Sequence, residues 1–272
     1  MKRLILWVVL IFCIGFISYF SFLNKLNKEE ESSFSKKNEI SMQMLELAKN
    51  LEKEKRFEEA KKIYLRIMSQ FPQDVNLLRI AKKKIEDLNI KLLFSKNPDE
   101  FSTFYIVKPG DTLEKIAKKF NTTIDYIKVA NDLKSDLIRV GQKLKVCKAK
   151  FYVVIDKSQN LLFLKTDDKI IKTYRVSTGK NNHTPTGEFK IINRIKHPTW
   201  FKDGKEIPYG APQNILGDYW LGLNISGYGI HGTNDPKSIG KHVTQGCIRM
   251  HNKDIEELYI LLPVGTSVKI ID

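Results

Sequence analysis

A cysteine directly follows a glycine in Thr244-Gln245-Gly246-Cys247-Ile248-Arg249-Met250-His251-Asn252, and sixteen positions earlier a histidine stands in Gly229-Ile230-His231-Gly232-Thr233. A thiol becomes a useful nucleophile near neutral pH when a base takes its proton, and histidine titrates in the right range. Glycine on either side lets backbone approach a substrate closely and leaves amide N–H groups to face a developing oxyanion. Arg249 is a cation placed to favour the thiolate. A free cysteine is commonly a small buried hydrophobe, and a lone histidine a satisfied core residue. The polar and glycine-rich flanks argue for chemistry at both positions instead.

Zinc is the rival use of these side chains, since His231, His242, Cys247 and His251 offer ligands of the right type. Their spacing lacks the paired short-range arrangement of common zinc sites, and a metal does not need the glycines. No metal or other cofactor is expected.

The pattern His-Gly-Thr…Gly-Cys-Ile-Arg-Met-His-Asn closely resembles the active-site signature of the YkuD-type L,D-transpeptidases, bacterial enzymes that cross-link peptidoglycan. The resemblance runs through residues 150–271 and includes Ser177-Thr178-Gly179-Lys180 and Thr184-Pro185-Thr186-Gly187-Glu188-Phe189. It implies Cys247 as nucleophile, His231 as base and acid, and the Gly232 carbonyl orienting the imidazole. Backbone N–H groups near Gly246 and Cys247 would form the oxyanion hole, with Thr244, Arg249 and His251 in support. Family members often carry Ser followed by a basic residue or His where this chain has Thr244-Gln245; the hydroxyl is kept and a charge is lost. The implied reaction is attack on the L,D peptide bond before the terminal D-Ala of a stem peptide. D-Ala leaves, and the acyl group passes from the thioester to an amine. With water as acceptor the enzyme would be an L,D-carboxypeptidase; with an inactive site the chain would be a non-catalytic wall-binding protein.

These residues need a scaffold, and the chain reads as multi-domain. From Phe151 the apolar period is two: 152–156 and 160–165 form a hairpin, and 170–177 and 187–192 continue the strands. A mainly-β catalytic domain over 150–272, sandwich- or barrel-like, is expected. Before it, Tyr105–Val107 leads to a Pro-Gly turn, with Asp111 as helix cap and Glu114 completing a capping box. A second helix around 123–130 and a closing strand to 146 complete a β-α-α-β unit over 104–147. It closely resembles LysM, which implies a shallow groove for glycan strands. Its walls would be Gly110, Asp111, Thr112 and Leu113 on one side and Ile138, Arg139, Val140 and Gly141 on the other.

Helical periodicity fills 41–93, through Met44, Leu47, Leu51, then Ala60, Tyr64, Ile67, then Leu77, Ile80 and Leu88. Ala48, Leu51, Ala60, Tyr64 and Pro72 sit where a tetratricopeptide repeat places such residues. One repeat reads as a spacer rather than a groove for a protein partner, because stacked repeats build the concave surface. Residues 24–40 read as a polar linker. Residues 4–23 carry no charge, match the ~20 residues that span a bilayer core, and lack a small-x-small cleavage pattern. They read as an uncleaved anchor over 1–23, a single pass of the cytoplasmic membrane with the rest of the chain outside it.

The formal charge of +15 first suggests nucleic acid. Residues 1–100 hold 19 basic and 14 acidic side chains, 101–149 hold 10 and 5, and 150–272 hold 17 and 12. Each segment is thus +5, no stripe concentrates the excess, and a nucleic-acid partner is excluded in favour of peptidoglycan. Three cysteines are too few for a disulfide scaffold.

Overall fold

The computed structural model describes residues 35–272 except Asp168, together with Lys25 and Lys28. The expected anchor over 1–23, including Cys13, lies outside the described residues, as does much of the expected linker. Among the described residues no helix is long and apolar enough to cross a membrane. The chain divides after Lys84 into two compact units.

In the first unit, α1 (35–53) and α2 (Phe57–Gln70) precede the opening half of α3 (Val75–Phe94). Helix already runs through 35–40, which was expected to be linker, because charged residues extend an existing helix at little cost. Ala48, Leu51, Ala60, Tyr64, Ile67 and Phe71 are buried, whereas Leu47 and Ile80, read as inward-facing, are exposed. Leu77 is buried as read, and Leu45 and Ala81 take the other inward positions, since each residue turns the helix face by about 100°. Helix α2 ends ahead of Pro72, as the residue before a proline disfavours helix.

The second unit begins with the rest of α3 and a β-α-α-β fold: β1 (Ser102–Ile106), α4 (Leu113–Phe120), α5 (Ile124–Ala130) and β2 (Lys143–Cys147). The strands are antiparallel, with Ser102 opposite Cys147. Thr112, not Asp111, caps α4 by accepting the Lys115 N–H at 3.2 Å. Asp111 is taken up by the preceding turn, where Oδ2 accepts the Lys108 N–H and the Tyr105 hydroxyl, each at 2.8 Å. Leu113, expected on a groove wall, is buried as the first residue of α4, while Gly110, Arg139, Val140 and Gly141 are exposed on the two loops. Lys145 on β2 is wholly buried. Its ammonium donates to the carbonyls of Leu92, Leu93 and Ser95 at 2.7–3.0 Å and to Asp99 Oδ2 at 3.0 Å, tying β2 to the C-terminus of α3.

The C-terminal domain contains β3 (Phe151–Asp156), β4 (Leu161–Thr166), β5 (Lys169–Arg175), β6 (Thr178–Gly179), β7 (Gly187–Lys196), β8 (Trp200–Lys202), β9 (Lys205–Ile207), β10 (Tyr219–Leu223), β11 (Gly229–His231), β12 (His242–Thr244), β13 (Ile248–Arg249), α6 (Asn252–Leu261) and β14 (Ser267–Ile271). Eight strands form one mixed sheet, in the order β13-β11-β10-β7-β14-β3-β4-β5, rather than two separate packed sheets. The long strand β7 explains this: its residues 187–190 pair with β14 and its later residues with β10, joining two half-sheets. Helix α6 buries Ile255, Leu258 and Leu261. The β-α-α-β fold is fastened to this domain where the Thr123 hydroxyl donates to the Ile260 carbonyl. Beside it, Arg194 Nη2 donates to Asp125 Oδ2 at 2.7 Å and to the Tyr259 carbonyl.

Candidate active site

At one edge of the sheet, β11 runs between β10 and β13, and its last residue is His231. The register sets His231 beside Trp220 on one side and Arg249 on the other. Trp220 stacks on the imidazole with ring centroids 5.9 Å apart. His231 is 2% exposed, and its Nδ1–H donates to the Gly232 carbonyl at 2.7 Å. That bond favours the tautomer with the proton on Nδ1 and a lone pair on Nε2, while the Leu216 backbone is a second hydrogen-bonding group near the ring. Gly232 is held by Asn252, the first residue of α6, whose side chain accepts from the Thr233 N–H at 2.9 Å and donates to the Thr233 carbonyl at 3.1 Å. A Cβ at position 232 would collide with the Asn252 side-chain oxygen and displace the clamp on Thr233.

Cys247 lies in the turn entering β13, with Sγ 3.4 Å from the Gly227 carbonyl. Gly246 has φ of 130°, and a Cβ there would lie 2.5 Å from the Tyr228 ring. The Thr244 hydroxyl donates to the Cys247 carbonyl at 2.7 Å and accepts the Gly246 N–H at 3.2 Å. The Gly246 amide is therefore already engaged, and the Cys247 N–H, which has no partner among the described residues, is the donor the turn leaves for an oxyanion. From across the site the Thr184 hydroxyl donates to the Gly246 carbonyl at 2.8 Å while accepting the Gly179 N–H at 2.7 Å. Thr184 thus sets the plane of the peptide that carries the Cys247 amide.

A cavity of about 660 Å³ opens over this turn; Cys247, His231, Arg249 and Thr244 line it together with Trp200, Phe201, Trp220 and Tyr228. Burial pushes the Cys247 thiol above its ordinary range, against the opposing pull of a Gly229 hydrogen bond and the Arg249 charge. Burial also lowers the His231 imidazole to about 4, helped by Arg249. Arg249 thus pulls the thiol towards the thiolate, as its charge implies, but dehydration opposes it more strongly. Burial favours the uncharged form of both side chains.

Arg249 itself lines the cavity, but His251 does not; it is exposed at the N-terminus of α6, where its side chain caps nothing. His242 lies on β12, Nδ1 2.8 Å from the Thr178 hydroxyl and Nε2 3.1 Å from Asn160 Nδ2. Among the described residues no three His, Cys, Asp or Glu side chains converge as a metal site would require. Thr184 and Asn252 were not singled out from sequence. Thr184 falls in a loop whose Thr-Pro-Thr-Gly pattern was conspicuous, but its contact with Gly246 spans 62 residues.

Two family models match the chain: the L,D-transpeptidase catalytic domain (YkuD) over residues 150–270 and the LysM domain over 105–146. The YkuD protein of Bacillus licheniformis is 40% identical over 174 residues, covering 61% of this chain and 97% of that protein. YqjB of Bacillus subtilis is 43% identical over 127 residues, 44% of this chain and 71% of that one. Both are named as L,D-transpeptidases. A solved L,D-transpeptidase from Mycobacterium smegmatis aligns with 17% identity and a TM-score of 0.40, covering 49% of this chain and 65% of that one.

Proposed function

Starting from a chain that belongs to the YkuD family of L,D-transpeptidases, we propose that Cys247 and His231 carry the acyl transfer and that its donor is a peptidoglycan stem peptide. The observation that carries this reading is the His231 tautomer: Nδ1–H is committed to Gly232, and Nε2 remains as base in the cavity that Cys247 shares. As the thiol attacks the carbonyl of the L-configured centre, its proton passes to Nε2. The Cys247 amide takes the oxyanion charge. The C–N bond to D-Ala then breaks, and the departing nitrogen takes the proton back from His231. An amine attacks the thioester, loses its proton to His231, and the thiol is regenerated with a new amide formed. The Gly232 carbonyl takes the orienting place on Nδ1 that a carboxylate fills in a Ser-His-Asp triad.

The LysM fold and the catalytic domain together support peptidoglycan as the polymer on which this chemistry acts. We assign glycan binding to the loops around Gly110–Thr112 and Ile138–Gly141, and membrane attachment to the uncharged run 4–23. The helices of 35–84 serve as a spacer. Mass spectrometry of products from a defined tetrapeptide stem and an amine acceptor tests the reaction. The expected result is a cross-linked product one D-Ala lighter than its reactants. Hydrolysed tripeptide alone would make the chain a carboxypeptidase, and unchanged stem would make it a binding protein.

A further inference from the structure

Two cations line the catalytic cavity, Lys202 and Arg249. Lys202 belongs to the exposed β8–β9 hairpin, its ammonium 5.0 Å from the Trp200 ring centroid. Arg249 stands beside the reacting groups, paired in register with His231 and two residues beyond Cys247. The guanidinium is mostly withdrawn from solvent, and among the described residues it forms no ion pair; Asp235 acts on it only from a distance. One nitrogen, Nη1, donates to Ser238 Oγ at 3.0 Å. That serine is itself fixed: its hydroxyl donates to the Asp235 carbonyl and its carbonyl accepts from Ser177 Oγ, both at 2.6 Å. Arg249 Nε is buried without a hydrogen-bond partner.

A guanidinium carries five N–H donors in a planar fork that matches a carboxylate, and a desolvated cation without a counter-ion is costly. A cation held this way in a substrate cavity is completed by an anion that the substrate brings. The chemistry of the acyl transfer says which one. In a stem ending at D-Ala, the terminal carboxylate is bonded to the carbon that bears the departing nitrogen. It therefore travels within two bonds of the scissile amide, beside Cys247.

We propose that Arg249 binds the terminal carboxylate of the donor stem and so selects donors that end one residue past the scissile bond. The proposal rests on the acyl-transfer reading above and adds the group that measures donor length. A stem longer by one residue presents an amide where the carboxylate should be and carries its charge ~3.6 Å further along.

The full chain should be assayed with a tetrapeptide stem as its free acid and as its C-terminal primary amide, under excess amine acceptor. In the native protein kcat/KM for the amide should be lower by roughly 10- to 150-fold, the range for a hydrogen bond to a charged group. In R249Q the acid-to-amide ratio should fall to near one, and R249K, which keeps the charge without the fork, should fall between. Equal turnover of acid and amide by the native protein would overturn the proposal. So would an R249Q that slows both alike and keeps the ratio, or a K202Q that loses it. Should R249Q fail to fold, the native ratio and R249K still decide. Turnover of neither stem by the native protein would defeat the acyl-transfer reading itself, and this proposal with it.

Discussion

Cys247 and Cys147 are both free thiols, and burial raises the pKa of both, Cys147 to about 12. Cys147 ends β2 at 2% exposure, its Sγ 3.5 Å from the Phe101 carbonyl, beside a cavity of about 180 Å³. Cys247 opens instead onto about 660 Å³ that also contain an imidazole and a guanidinium. Dehydration does not separate the two sulfurs, since both have it. Company does: only Cys247 has a base held by a backbone carbonyl and a backbone donor for the charge it will create. Reactivity here is a property of the turn and its neighbours rather than of the sulfur alone.

The sharpest way to break the contrast is C247A, which should abolish acylation by a β-lactam of the carbapenem class and all transfer, with no adduct appearing at Cys147. Mass spectrometry of the labelled protein reads this, and an adduct on Cys147 would put the site elsewhere. H231A comes next, slowing acylation by about 10²- to 10⁴-fold while the thiol remains present. The same residue has a pH signature. Its folded pKa of about 4 lies below the ordinary value, so the unfolded chain binds the extra proton first as pH falls. The stability that His231 contributes is present above about pH 6.5 and is lost towards pH 4. Urea unfolding at pH 7 and pH 5 should show a drop of ~2 kcal/mol that H231Q lacks; equal drops in both would mean the imidazole is not dehydrated.

T184V should act more gently. It removes the hydroxyl that holds the Gly246 carbonyl, costing about 1 kcal/mol of stability and slowing acylation by about ten- to a hundredfold through a tilted Cys247 amide. An unaltered rate would show that this peptide is held without Thr184. C147S should be the mildest, lowering the melting temperature slightly and leaving acylation kinetics unchanged.

Local signals in the sequence were legible where chemistry forced them. A Cβ at Gly232 or Gly246 would collide with a neighbouring side chain, so the glycines beside His231 and Cys247 marked the site directly. The strands at 152–156 and 187–192 and the helix around Leu113–Phe120 followed from periodicity, with ends shifted by a few residues at most. What was hidden depends on partners far along the chain. Thr184 reads as an ordinary loop residue until the fold brings Gly246 to it, and Asn252 as a helix start until Thr233 arrives. Asp111 and Thr112 are both competent caps, and only the turn at Lys108 decides between them. The two-halved sheet was hidden for a similar reason, because nothing local in β7 tells that its two ends pair with different strands. The balance between burial and Arg249 at the thiol also needed three dimensions, since sequence lists charges but not dehydration.

The ammonium of Lys145 was placed on carbonyls that lie about fifty residues before it in the chain. Those carbonyls leave the ribosome first, so the end of α3 must wait, uncapped, until β2 has been made. The LysM fold is accordingly not a bead that can be cut out cleanly at its apparent border near residue 101. A piece beginning there would lack all four oxygen partners of the Lys145 ammonium. A piece that keeps those partners must reach back at least to Leu92, inside α3. In this chain the fold and the tail of the preceding helix therefore travel as one piece.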